Sequence, residues 1–235
     1  MHSKETQLQQ GLTQLRTKLL MMGASVGIAV DEACAALQTG NTGQAIAVVD
    51  GDLVINGLEN EIDAIALSLL VRNQPVAQDL RLVVGALRMV IDLERIGDEA
   101  ASIAERAIIL QETLPEPVKG AVSNLMDTAK LSYRAAIDAF RNEDARSALA
   151  IIENDDECVQ KEVIALHHIM DRLCMENGPS RDSKSQLGMH GILVSRSLNR
   201  ICRRAANIAE HVFFITRGIN IKHTLPPEEE KSVQH

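Results

Sequence analysis

Residues 93–105 read LERIGDEAASIAE and residues 198–210 read LNRICRRAANIAE, with eight of thirteen positions identical at an offset of 105. Self-similarity of that kind means two copies of one supersecondary unit, so the chain is read as a duplication. In both copies the apolar positions step by 4, 3, 4, 3, 4: Met89, Leu93, Ile96, Ala100, Ile103 and Ala107, then Val194, Leu198, Ile201, Ala205, Ile208 and Val212. The spacing keeps six side chains on one face of an α-helix, a seam for packing on other helices, and the small alanines allow close approach.

Chain breakers are sparse. Gly40-Asn41-Thr42-Gly43, Asn73-Gln74-Pro75, Pro115-Glu116-Pro117, Arg141-Asn142-Glu143-Asp144 and Asn177-Gly178-Pro179-Ser180 separate long stretches of helical periodicity. They predict six long helices, roughly 4–38, 43–72, 76–113, 117–141, 145–176 and 184–217. Three helices, a Pro-x-Pro linker and three more give an all-α protein of two tandem three-helix bundles, residues 1–114 and 115–218. The remaining repeat positions align at an offset of about 103 to 104, and the polar residues 219–235 are expected to form a flexible acidic tail.

Composition agrees and narrows the function. Aromatic residues make up 2% (Tyr133, Phe140, Phe213 and Phe214), so the core is aliphatic, and base-stacking platforms of a single-strand nucleic-acid binder are absent. A net charge of −8 is the wrong sign for a general polyanion binder, which argues for cations or basic protein surfaces as partners and against nucleic acid. Cys34, Cys158, Cys174 and Cys202 form no C-x-x-C pair and read as reduced core thiols of a cytosolic protein. The polar start is unlike a signal peptide, and no apolar run is read as reaching the ~18 residues that span a bilayer, so direct membrane insertion is not expected.

Glu94 and Asp98 lie four apart on one helix, one carboxylate above the other, about 100° round from the Leu93 seam. Asp52, Asn56, Glu59 and Asp63 form a second oxygen-rich stripe at spacing 4, 3, 4 on the preceding helix. If the two helices pair antiparallel the stripes meet, and clustered oxygen ligands suit Mg²⁺, Ca²⁺, Mn²⁺ or iron. A solvated charged face is the plainer reading of such spacing. In the second copy Asn199 replaces Glu94 and Arg203 replaces Asp98, and one of two registers sets Glu162 and Leu166 against Glu59 and Asp63 while the other sets Val163 and His167 there. The second cluster is broken in either case, so metal is expected in the first copy only. Arg200, Arg203 and Arg204 make a basic face that either docks an acidic partner or an anion, or closes salt bridges within the bundle. His167 and His168 point about 100° apart and are read as helix surface. No phosphate loop, nucleophile elbow, dinucleotide fingerprint or His-Glu zinc motif occurs, which argues against an enzyme.

The stretches QPVAQDLR (74–81) and DLERIGD (92–98), with Met22-Gly23, VVDGD (48–52), Asp138-Ala139-Phe140 and Asn207-Ile208-Ala209-Glu210, resemble the PhoU family of phosphate-specific transport system accessory proteins over nearly the whole chain. The resemblance implies two similar three-helix bundles, with metal ions, iron or other divalent cations such as Mg, Mn, Zn or Ca, on E/D-x-x-x-D motifs. It assigns Glu94 and Asp98, with Asn56, Glu59 and Asp63, to that motif in the first repeat. It implies a cytoplasmic, homodimeric negative regulator of phosphate uptake and of the phosphate-starvation response, linking the importer ATPase subunit to the membrane sensor histidine kinase and reaching the inner membrane only through those partners. The chain departs from the pattern at Asn199, at Arg203 and at Gly27, which stands where the family has a Glu. The alternative is a metal-storage or metal-dependent helical bundle without a signalling role.

Overall fold

A computed structural model describes residues 2–116, 118–154, 156–175 and 181–221. The first bundle is built from α1 (His2–Thr39), α2 (Thr42–Asn73) and α3 (Ala77–Leu110), the second from α4 (Val118–Asn142), α5 (Ala145–Glu153), α6 (Asp156–Met175) and α7 (Arg181–Arg217). Pro117, the turn at 177–180 and tail residues 222–235 lie outside the described residues. Ile221, just before them, is buried.

Local chemistry sets the helix ends. Asn41 caps α2 by accepting from the Gln44 N–H at 3.1 Å, and Asp144 caps α5 by accepting from the Arg146 and Ser147 N–H groups. Gly40 ends α1 in the left-handed region at φ +70°, where a glycine carries no Cβ penalty.

One expected helix is two. The continuous helix read over 145–176 breaks at Asn154, whose side-chain amide donates back to the Ala150 carbonyl at 2.8 Å while its own N–H turns to the Ile151 carbonyl. A side chain that competes for backbone groups, inside an Asn-Asp-Asp run of weak helix formers, ends the helix where α2 runs on through Gly51.

The two apolar stripes are the centres of the two bundles. All twelve of their side chains are at most 1% exposed. The bundles share one continuous core, because α3 packs on α7 and α1 on α4. Both seams are antiparallel and close. A Cβ at Gly85 of α3 would sit 2.4 Å from the Ile215 side chain of α7. A Cβ at Gly27 of α1 would sit 3.3 Å from the Tyr133 ring of α4, and the Tyr133 hydroxyl donates to the Gly23 carbonyl at 2.6 Å. The departure at Gly27 thus makes room for an aromatic ring from the other repeat.

Contrary to expectation, α1 holds, over Thr6–Thr39, an 18-residue stretch of mean hydropathy 1.5, long and apolar enough to cross a membrane. In this fold its apolar face, Leu15, Leu19, Met22, Val26 and Val30, is buried against the neighbouring helices.

Candidate functional site

The two oxygen-rich stripes meet. Isoleucine 55 of α2 packs against Gly97 of α3, where a Cβ would lie 3.1 Å from it and 3.7 Å from the Asp52 carboxylate. That close approach places Asp52, Asn56 and Glu59 along the face that carries Glu94 and Asp98. Asn56 donates to Asp52 at 2.9 Å. Burial pushes the Glu94 carboxyl above the ordinary range, and the charges of Asp98 and Glu59 push the same way against the pull of Arg95. The Arg95 guanidinium spans the pair, 3.3 Å from Glu94 and 3.2 Å from Asp98. Asp63 is half-buried further along α2, and no hydrogen bond or ion pair joins it to Glu94 or Asp98 among the described residues. Among the described residues no three Asp, Glu, His or Cys side chains converge tightly enough to hold an ion. The site is a crowded set of carboxylates with an arginine between two of them.

The second repeat answers the same crowding differently. Asn199, where the first copy has Glu94, donates its amide to Glu162. The register that the sequence left open is therefore an offset of 103, with Glu162 opposite Glu59 and Leu166 opposite Asp63. Two clefts fix it independently. Ser25, Ile28, Gln44, Val48 and Gly51 line one in the first bundle, and Thr128, Leu131, Ser147, Ile151 and Asn154, each 103 residues later, line its counterpart in the second. His167 is exposed and His168 half-buried on the outside of α6.

The basic face divides. Arg200 forms a two-pronged ion pair with Glu99 of α3, and Arg204 pairs with Asp92 at 2.9 Å. Both close salt bridges across the α3–α7 seam, between the two bundles rather than within one as the sequence reading has it, while Arg203 faces solvent. Asp92 was not singled out in the sequence. It is 4% exposed and accepts from Arg204, from Asn207 at 3.1 Å and pairs with His211 at 3.0 Å. Burial alone would raise its carboxyl, but the hydrogen bonds from His211, Asn207 and Arg204 outweigh it and hold it below the usual carboxylate value. The signal was there on α7: Arg204, Asn207 and His211 step by 3 and 4, a stripe of donors that needs a buried acceptor.

The cysteines also differ from expectation. Cys158 of α6 and Cys202 of α7 form a disulfide with their Cα atoms 6.4 Å apart, and Cys174 is exposed, so only Cys34 is a buried thiol as expected. Burial pushes the Cys34 thiol up to about 12. The pair leaves no local signature because its members lie 44 residues apart on helices that meet only in the folded bundle.

A duplicated helical bundle joined through its repeat-equivalent helices, with a carboxylate motif on one copy, defines a class of all-α tandem-repeat proteins. The PhoU domain model matches twice, at residues 19–107 and 122–212, and the chain belongs to the PhoU family. It is 37% identical over 224 residues to a phosphate-specific transport system accessory protein PhoU homolog of Pseudomonas putida, covering 94% of this chain and 85% of the relative. The crystal structure of PhoU from Pseudomonas aeruginosa superposes with a TM-score of 0.83 at 35% identity, covering 90% of this chain and 99% of that one. The phosphate transport system regulatory protein PhoU from Streptococcus pneumoniae shares the fold, with a TM-score of 0.81 at 23% identity, over 91% of this chain and 98% of that one.

Proposed function

We propose that the protein is a non-enzymatic accessory protein of a phosphate-specific transport system, acting as a negative regulator of phosphate uptake and of the phosphate-starvation response. The observation that carries this reading is the double PhoU match, backed by a relative, 37% identical, named for that transport system. Its partners are the ATPase subunit of the importer and the sensor histidine kinase, met on the cytoplasmic side, and it works as a homodimer. The two repeats present unlike faces, carboxylates at Asp52, Glu59, Glu94 and Asp98 in the first and the exposed Arg203 in the second, which suits two partners of different charge. Crosslinked pull-down of tagged protein from cells grown in high and low phosphate tests this. Recovery of the ATPase or the kinase, stronger in high phosphate, is expected. Recovery of neither at good bait yield overturns it.

A divalent or iron ion in the first repeat is part of the proposal. Glu94, Asp98 and Glu59 would supply hard oxygen donors once drawn together around an ion, and burial together with the Asp98 and Glu59 charges raises the Glu94 carboxyl, a strain that a cation would relieve. Binding requires Arg95 to leave Glu94 and Asp98. The ion would supply positive charge that ties α2 to α3. Metal content of the purified protein should fall in Glu94→Ala and Asp98→Ala and be untouched by Arg203→Ala. Equal content in all three variants would remove the site.

A further inference from the structure

We propose that Cys158 and Cys202 are a thiol–disulfide switch, closed by glutathione-class disulfides and opened by the corresponding thiols, that ties α6 to α7 beside the break at Asn154. The repeat supplies the argument. At the offset of 103 Cys158 stands where Ile55 stands, and at 105 Cys202 stands where Gly97 stands. In the first bundle Ile55 packs directly on Gly97, with no covalent bond. The architecture therefore closes this helix pair by packing alone, and opening the bond leaves a bundle that can remain folded. The second copy has placed two sulfurs at that one contact.

Two further features favour exchange. Both cysteines line the second bundle's cleft, about 430 Å³, which gives a small thiol a way in although Cys158 is 3% and Cys202 2% exposed. Lys161, one turn along α6, lines the same cleft, with its Nζ 2.7 Å from the Thr128 hydroxyl and 2.8 Å from Glu157, and a cation in the cleft, partly offset by that carboxylate, favours the thiolate that exchange requires. The bond also has something to hold. In the first bundle α2 is continuous past this point, whereas α6 is severed from α5 at Asn154, so less chain fixes its N-terminal end.

The chemistry balances with oxidised glutathione as the two-electron acceptor. One cysteine thiolate attacks a sulfur of the glutathione disulfide, and a first glutathione thiolate leaves with the electron pair. The second cysteine thiolate attacks the mixed disulfide and expels a second glutathione thiolate. Two electrons pass from the cysteine pair, and the two protons end on the released glutathione thiols.

The test uses the full-length chain carrying Cys174→Ser, which removes the exposed thiol, equilibrated in excess reduced or excess oxidised glutathione and quenched in acid. Unfolded samples are counted with a maleimide mass tag, the linked peptides are mapped, and amide exchange of α6 is read in parallel. Three tags are expected in reduced glutathione and one, on Cys34, in oxidised glutathione, with the Cys158–Cys202 peptide recovered and α6 exchanging several-fold faster in the reduced state. Three tags in both buffers would show that the bond does not form. One tag in both would make it a permanent staple. Equal α6 exchange in the two states would leave it without consequence, and each of these results overturns the proposal. Cys158→Ile with Cys202→Gly, which installs the first bundle's contact, should fold and show no response to glutathione. A persisting response in that variant would place the effect elsewhere and overturn the assignment.

Discussion

At the scale of single residues, two of the acidic groups on α3, Asp92 and Glu94, have opposite fates within one turn of each other. Asp92 is buried and served by three donors from α7, so removing it strands Arg204 and His211 without their acceptor. Asp92→Ala should cost about 3 kcal/mol, the low end for breaking a buried pair, because the outer part of Arg204 stays in water. Its folded carboxyl lies below the ordinary value of 3.8, so this stabilisation is present above that pH and is lost as pH falls through the lower folded value. Urea midpoints of wild type and variant should therefore differ at pH 7 and converge below about pH 4. Glu94 has the reverse sign. Its raised carboxyl favours folding when protonated, a contribution present below the unfolded value of 4.5 and lost as pH rises through the folded one. In chelator, Glu94→Gln should melt higher than wild type at pH 7, with the gap closing below pH 4.5. A lower melting point would show that the carboxylate is not crowded.

At the scale of elements, the seams between repeats depend on missing side chains. Gly23 and Gly27 let α4 lay Tyr133 and Ile137 against α1, and Gly85 lets α7 lay Ile215 against α3. Tyr133 is the one tyrosine, and there is no tryptophan, so its absorbance reports the α1–α4 seam alone. Burial pushes its phenol upward, so the folded chain holds the proton and this contribution is lost as pH rises above the ordinary phenol value of 10. Phenolate absorbance should appear only with loss of helical signal. Titration near pH 10 while the helices persist would mean that the seam opens on its own.

At the scale of the molecule, the bundles share a core and are clamped by Asp92–Arg204 and Glu99–Arg200 along α3 and α7. Contacts that cross between the halves couple their unfolding. Circular dichroism and the Tyr133 signal should fall in one denaturant transition with a common midpoint. Two resolved transitions would show that the repeats are independent domains.

Much of this arrangement was legible in the linear chain. The duplication, the two apolar stripes and nearly all helix limits follow from local periodicity, because burial at every third or fourth residue is a property of one helix. The meeting of Asp52, Asn56 and Glu59 with Glu94 and Asp98 was foreseeable too, since consecutive antiparallel helices bring neighbouring stripes together. Two outcomes belonged to the tertiary structure. Arg200 and Arg204 turned inward to Glu99 and Asp92, 101 and 112 residues away. Cys158 found Cys202 across the α6–α7 contact, whereas the break of the helix expected over 145–176 was local, set by the Asn154 side chain. The sequence by itself determined which faces of the helices are apolar, because that is written residue by residue. Which charges and sulfurs meet was decided only when α3, α6 and α7 came together, because pairing depends on distances between helices that no single stretch of chain contains.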